Sequence, residues 1–221
     1  MRLSAVVFDL DGTLVDSRPD LATAVNRMRA ELGLQTLSMA AVGAMIGEGS
    51  RILVERALAD APAKSTMERA HERFLAHYAA VCTAETRPYD GVEDLLGALA
   101  RRWPLALLTN KPIAMTRALV EHFAWTAHFR ALVGGDSLPY RKPDGRGLLA
   151  LAARFGLAPV EVLLVGDSRI DAETARAAGT GFVWVEWGYA AEEDRRRLAS
   201  GLSARSPAAL LARLRSFERG Q

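Results

Sequence analysis

Leu3-Ser4-Ala5-Val6-Val7-Phe8-Asp9-Leu10-Asp11-Gly12-Thr13 is an apolar run that ends in two carboxylates and a Gly-Thr turn. A short Val-rich stretch bounded in this way reads as a buried strand. Residues i and i+2 of a strand point the same way, and a chain leaving a strand's carboxyl end opens into the crevice where open α/β sheets bind ligands. Asp9 and Asp11 are therefore expected to share one site. Crowded carboxylates repel unless a cation or a shared proton relieves them, so the pair implies Mg²⁺ or a split between acid and nucleophile. A plain Asp-Gly turn with Asp9 as a helix cap leaves the second acid unexplained.

Four further apolar runs repeat the strand pattern: Leu105 to Leu108, Ala131 to Val133, Glu161 to Val165 and Phe182 to Val185. Helical patterns lie between them, at about Val92 to Arg102, Ala114 to Phe123, Gly147 to Phe155 and Arg169 to Ala178, with Gly156 and Gly179 as C-terminal stops. Strand and helix alternating in this way predict an α/β fold with a doubly wound, Rossmann-like parallel sheet. From Ser17 to Pro88 no strand is expected; the stretch reads as four or so helices, including Pro19 to Leu32, Gly49 to Ala59 and Lys64 to Thr86. The predicted division is a core of residues 1–16 and 88–221 and an inserted all-helical cap of residues 17–87, with Arg87-Pro88-Tyr89-Asp90-Gly91 as its return linker. The tail, Pro207 to Phe217, reads as a helix packed on the core.

Composition narrows the classes. With 221 residues, half of them hydrophobic, the chain can bury a substantial core. Its 28 basic and 26 acidic residues are scattered, apart from Arg195-Arg196-Arg197 on an expected solvated helix face, so no nucleic-acid footprint is present. No apolar run approaches the ~20 residues of a membrane span. The single Cys82 excludes an intrachain disulfide framework and suits a reducing, cytoplasmic setting. Monomer and homodimer both stay open.

The later strands also end in polar residues. Thr109 and Asn110 follow the second run and suit phosphate oxygens. Lys142, in Arg141-Lys142-Pro143-Asp144, supplies a cation after the third. Gly166-Asp167-Ser168 follows the fourth, with Asp171 one helical turn later on the same face. Taken singly, each suits a helix cap or a solvated side chain; together they bring a nucleophile, a metal seat and positive charge to one crevice, as phosphoryl transfer requires.

In their order and spacing these four motifs resemble the haloacid dehalogenase superfamily, and the resemblance covers the whole core. It implies a phosphohydrolase, because the second acid, Asp11, is present. Carried onto matching residues, it implies that Asp9 attacks phosphorus to form an aspartyl-phosphate, and that Asp11 protonates the leaving oxygen and later activates water. It further implies Mg²⁺ held by the Asp9 side chain, the Asp11 carbonyl and Asp167, with Lys142, Thr109 and Asn110 taking the phosphate. Asp171 is expected either near the metal through water or holding Lys142.

The inserted helices resemble the C1-type cap of that superfamily. The loop Ile46-Gly47-Glu48-Gly49, the run Thr109-Asn110-Lys111-Pro112 and the stretch Gly134 to Asp144 are similar to the bacterial phosphoglycolate phosphatases. The implied substrate is a small phosphorylated metabolite, 2-phosphoglycolate, with sugar phosphates, nucleotides and pyrophosphate as alternatives within the same fold. A phosphate-binding regulator is the non-enzymatic alternative. Glu48 departs from the Asn typical of that family, and an acid facing an anionic substrate repels it unless it turns away or pairs with Arg51. Candidates for the substrate's non-phosphate end are Lys111, Arg18 and Arg51, with Gly47 and Gly49 allowing close backbone approach. Gly135-Asp136-Ser137-Leu138 also spells a serine-esterase signature, but no downstream Asp-x-x-His supplies its base.

Overall fold

In a computed structural model that describes residues 3–61 and 67–217, the opening run forms the central strand of the molecule. Strand β1 (Ala5–Phe8) is buried along its whole length and pairs in parallel with β4 (Leu105–Leu108) on one side and β6 (Val162–Gly166) on the other. Strand β5 (Phe129–Val133) extends the sheet beyond β4, while β7 (Gly181–Val185) and the two-residue β8 (Ser203–Ala204) extend it beyond β6. The order β5-β4-β1-β6-β7-β8 reverses direction between β1 and β6. That switch point opens a crevice beyond the strands' carboxyl ends.

Both faces of the sheet are covered, which is why its strands read as unbroken apolar runs. Helices α5 (Val92–Ala100) and α10 (Pro207–Ser216) cover one face, where Leu96, Leu99, Leu210 and Leu214 join the core of Val6, Phe8 and Leu107. Helices α7 (Arg146–Arg154) and α8 (Arg169–Ala178) cover the other, packing Leu148, Leu151 and Ala175 on Ala5, Val7 and Leu164. Helix α6 (Ile113–His122) follows β4. Gly156 and Gly179 take left-handed φ angles of +68° and +69° just past their helices, as expected of stops. Gly145, at the entrance of α7, has no room for a side chain, because a Cβ there would lie 2.6 Å from the Ala178 nitrogen of α8.

The insertion after β1 folds around a core of its own. Helices α1 (Arg18–Glu31), α2 (Met39–Gly43), α3 (Ser50–Ala57) and α4 (Met67–Val81) enclose Val25, Met28, Val54, Phe74 and Tyr78. Two sequence expectations need correction here. The stretch to Pro88 does contain a strand: β3 (Arg87–Pro88) pairs antiparallel with β2 (Val15–Asp16), so a short ribbon carries the chain into and out of the helices. The helix expected to reach Thr86 ends at Val81, and its expected start at Lys64 to Thr66 lies outside the described residues. The buried Asp20 carboxylate explains the early end, since it accepts the backbone N–H groups of Glu85 and Thr86 and the Thr86 hydroxyl. Those residues are thereby drawn out of helix and into the ribbon.

The Arg195 expectation is also corrected. Arg196 and Arg197 of helix α9 (Glu192–Leu198) are exposed, but Arg195 is half-buried and donates to the carbonyls of Glu186, Gly188 and Ala190 at 2.7–3.0 Å. Its guanidinium thereby fixes the loop that leaves β7. Among the described residues no helix is long and apolar enough to cross a membrane.

Candidate active site

The strand proper stops at Phe8, so the two opening acids are not neighbours on one strand face. Asp9 is the first residue beyond β1, its N–H donating to the Val165 carbonyl of β6. Asp11 sits in a tight turn in which the N–H groups of Thr13, Leu14 and Val15 all reach the Leu10 carbonyl. Gly12 makes this turn possible, with φ +80° and a hydrogen where a Cβ would lie 2.2 Å from Asp167 Oδ2. Both acids line one cavity of about 550 Å³ between the sheet's carboxyl edge and the inserted helices.

Each acid has its own buried lysine. Lys142 Nζ lies 2.8 Å from Asp9 Oδ1 and 2.6 Å from Asp171 Oδ1. Asp9 Oδ1 is buried and has no hydrogen-bond partner besides this ion pair. Lys111 Nζ lies 2.7 and 2.9 Å from the two Asp11 oxygens, and the Ser17 hydroxyl donates to Asp11 Oδ1 at 2.5 Å. Tyr78 of α4 places its ring 4.6 Å from the same ammonium.

The charges explain the protonation equilibria. Burial pushes Asp9 up to about 6, against the pull of Lys142. Asp167, buried and facing the charges of Asp171 and Asp9, is raised well above the usual carboxylate range. Burial disfavours the Lys142 ammonium, but Asp171 and Asp9 outweigh that effect and hold it above its ordinary value. Asp9, Asp167 and Asp171 each offer an oxygen within 4.8 Å of the other two, all buried. Three buried carboxylates that share one ammonium form a set of hard oxygen donors that fits a divalent cation. Asp171 belongs to this acidic cluster; its other oxygen accepts the Ser168 hydroxyl at 2.6 Å and the Ser168 N–H at 3.1 Å, closing the first turn of α8. The Asp11 side chain is turned instead toward Lys111 and Ser17.

The remaining expected residues differ in their partners. Thr109 lines the cavity, and its hydroxyl accepts the Lys111 N–H at 3.3 Å. Asn110 also lines it, but its amide NH₂ is already bound by the carbonyls of Gly47 and Lys142, at 2.9 and 3.0 Å, so it ties the Gly47–Gly49 loop to the core. Arg18 reaches the cavity with its guanidinium held by both Asp16 oxygens. Glu48 lines the rim, and its partner is Arg56, not Arg51. Arg51 lies outside the cavity lining, paired with Glu68 of α4. The esterase-like motif has a structural use: Asp136 accepts the first N–H of α6 and Ser137 Oγ accepts the Gly134 N–H.

Sequence reasoning missed the loop after β7. The Tyr189 N–H donates to Asp167 Oδ2 at 2.6 Å, and its hydroxyl accepts the Ser17 N–H at 2.8 Å, linking the acidic cluster to the start of α1. Trp184 donates to the Asp167 carbonyl and Trp187 to the Thr13 carbonyl. The available signal is positional: Glu186-Trp187-Gly188-Tyr189 stands at the end of a fifth parallel strand, as the other polar motifs stand at the ends of the first four.

A parallel sheet with an acid pair after its first strand, a lysine after its third and an acid after its fourth, beneath inserted helices, defines a phosphate-handling hydrolase fold. The chain belongs to the haloacid dehalogenase-like hydrolases, whose family profile matches residues 3–179. It is 45% identical over 191 residues to a phosphoglycolate phosphatase of Cereibacter sphaeroides, covering 85% of this chain and 87% of that one. It is 41% identical over 213 residues to a phosphoglycolate phosphatase of Chromobacterium violaceum, covering 94% and 95%. The crystal structure of a predicted phosphoglycolate phosphatase from Haemophilus somnus superimposes with a TM-score of 0.90 at 30% identity, covering 97% of this chain and 99% of that one.

Proposed function

We propose that this chain is a Mg²⁺-dependent phosphatase that converts 2-phosphoglycolate to glycolate and phosphate. The observation that carries the reading is the pair of acids in one cavity, each set against its own buried lysine. Asp9 attacks phosphorus in line and becomes an aspartyl-phosphate, a known use of a carboxylate nucleophile. Asp11 protonates the leaving glycolate oxygen and then takes a proton from the water that hydrolyses the acyl phosphate. Lys142 and the Thr109 hydroxyl hold the transferring phosphoryl oxygens. Asn110 supports them through its backbone, since its side chain is engaged elsewhere.

Mg²⁺ would be held by Asp9, Asp167 and the Asp11 carbonyl, with Asp171 setting Lys142 beside them; when bound it neutralises charge on the phosphoryl group. Residues 17–87 act as the substrate-selecting cap on a core of residues 1–16 and 88–221. Glu48 does not oppose an anionic substrate, because Arg56 neutralises it at the rim. The relatives' shared name and their coverage of nearly the whole chain support this substrate. The unpaired, buried Cys82 supports a cytoplasmic setting.

A panel of phosphate esters assayed with and without Mg²⁺ tests the proposal. Phosphoglycolate should be turned over fastest, and chelation should abolish activity. Faster turnover of a sugar phosphate or nucleotide would move the substrate, and zero turnover of every ester by a protein that still binds phosphate would refute catalysis.

A further inference from the structure

Resting on the phosphoglycolate reading, the question left is what receives the carboxylate at the substrate's other end. Most cations near the cavity already have partners. Arg18 is bound to Asp16, Arg56 to Glu48 and Arg169 to Glu173. Lys111 is paired as well, with Asp11, and differs in being deeply buried, its side chain 2% exposed where those arginines are 40–48% exposed.

Tyr78 of α4 is the second anomaly. It lines the same cavity, is 1% exposed and lies beneath the Lys111 ammonium, yet its hydroxyl has no hydrogen-bond partner. A buried hydroxyl without a partner is unfavourable and unusual, so it calls for an explanation. Packing does not supply one: stacking on Phe74, with ring centroids 5.7 Å apart, would serve a phenylalanine equally well. Burial, reinforced by the charge of Asp11, raises the Tyr78 hydroxyl well above its ordinary value, so it stays protonated and able to donate.

We infer that the Tyr78 hydroxyl and the Lys111 ammonium form the subsite for the substrate's carboxylate, the phenol donating to one oxygen and the ammonium to the other. The subsite joins one residue of the inserted helices to one of the sheet's carboxyl edge, so a short phosphorylated carboxylate bridges the two parts of the protein. A neutral donor beside a cation suits an anion, since hydrogen bonds to charged groups are stronger than neutral ones.

Tyr78→Phe tests the assignment, with phosphoglycolate compared against ethyl phosphate, which has the same two-carbon length and no carboxylate. The KM for phosphoglycolate should rise about tenfold. Its kcat, the kinetics on ethyl phosphate and inhibition by inorganic phosphate should all be unchanged. The Tm should be equal or higher, because the variant removes an unsatisfied polar group. An unchanged KM for phosphoglycolate, an equal loss on both esters, or a lowered Tm would overturn the subsite and leave the phosphoglycolate reading standing. Equal turnover of the two esters by the unsubstituted enzyme would instead overturn that reading, and the subsite with it.

Discussion

Two buried lysines stand under one cavity, and their surroundings differ. Lys142 is enclosed by the Asp9 and Asp171 carboxylates, with Asp167 completing the acidic cluster. Lys111 meets one carboxylate, which it shares with Ser17, and an aromatic face. The first arrangement is an electrostatic keystone, in which any lost charge leaves others buried and uncompensated. The second has the capacity to bind an arriving anion. The difference separates the lysine that holds the phosphoryl group from the lysine that, beside the acid Asp11, reaches toward the rest of the substrate.

The strongest way to break this comparison is at the acids. Asp9→Asn should abolish turnover outright, whereas Asp11→Asn should lose most turnover and still bind substrate, as measured by steady-state rates and by calorimetric titration of phosphoglycolate. Equal, mild losses would remove the division of labour. Next in size are the lysines. Lys142→Met leaves three buried carboxylates without their cation and should lower the unfolding free energy by about 3 kcal/mol or more, by denaturant titration. Lys111→Met should cost less stability, because Asp11 keeps Ser17, and should raise KM for phosphoglycolate.

A smaller effect is expected from pH. The raised folded value of Asp9, about 6, exceeds its ordinary 3.8, so between those limits the folded state holds a proton that the unfolded chain has released. Metal-free protein should therefore gain stability from this group as pH falls from 7 toward 5, with Asp167 acting in the same direction. His71, lowered by burial, opposes the trend. Added Mg²⁺ should reverse it, because bound carboxylates must be ionised. Thermal melts across that range, with and without Mg²⁺, check the sign. Smallest of all, Arg51→Ala should leave KM and kcat unchanged, since Arg51 faces Glu68 outside the cavity.

The sheet and its strand ends were legible in the sequence for a physical reason. Parallel strands covered on both faces appear as continuous apolar runs, and the polar residues that break them must lie at the carboxyl edge. The run Leu105 to Leu108 coincides with β4, and the helix expected at about Arg169 to Ala178 coincides with α8. The inserted helices were harder. Helix α2 has five residues and β3 two, too short to display a period. Glu48 finds Arg56 because Arg51 is drawn to Glu68 across a helix interface that local spacing does not reveal. Arg195 looked solvated because its three partners are carbonyls, which leave no mark in a sequence of side chains. Nothing in the sequence singles out Tyr78 within its helix; its missing partner is visible only once the cavity is assembled.

The central claim is that Asp9 carries the phosphoryl group between substrate and water. Rapid acid quenching of the enzyme during turnover of phosphoglycolate labelled in its phosphate, followed by peptide mapping, measures this directly. The account predicts acid-stable, base-labile label on the peptide containing Asp9, absent from Asp9→Asn. Full turnover with no label on the protein at any quench time, or label on a different residue, would contradict it.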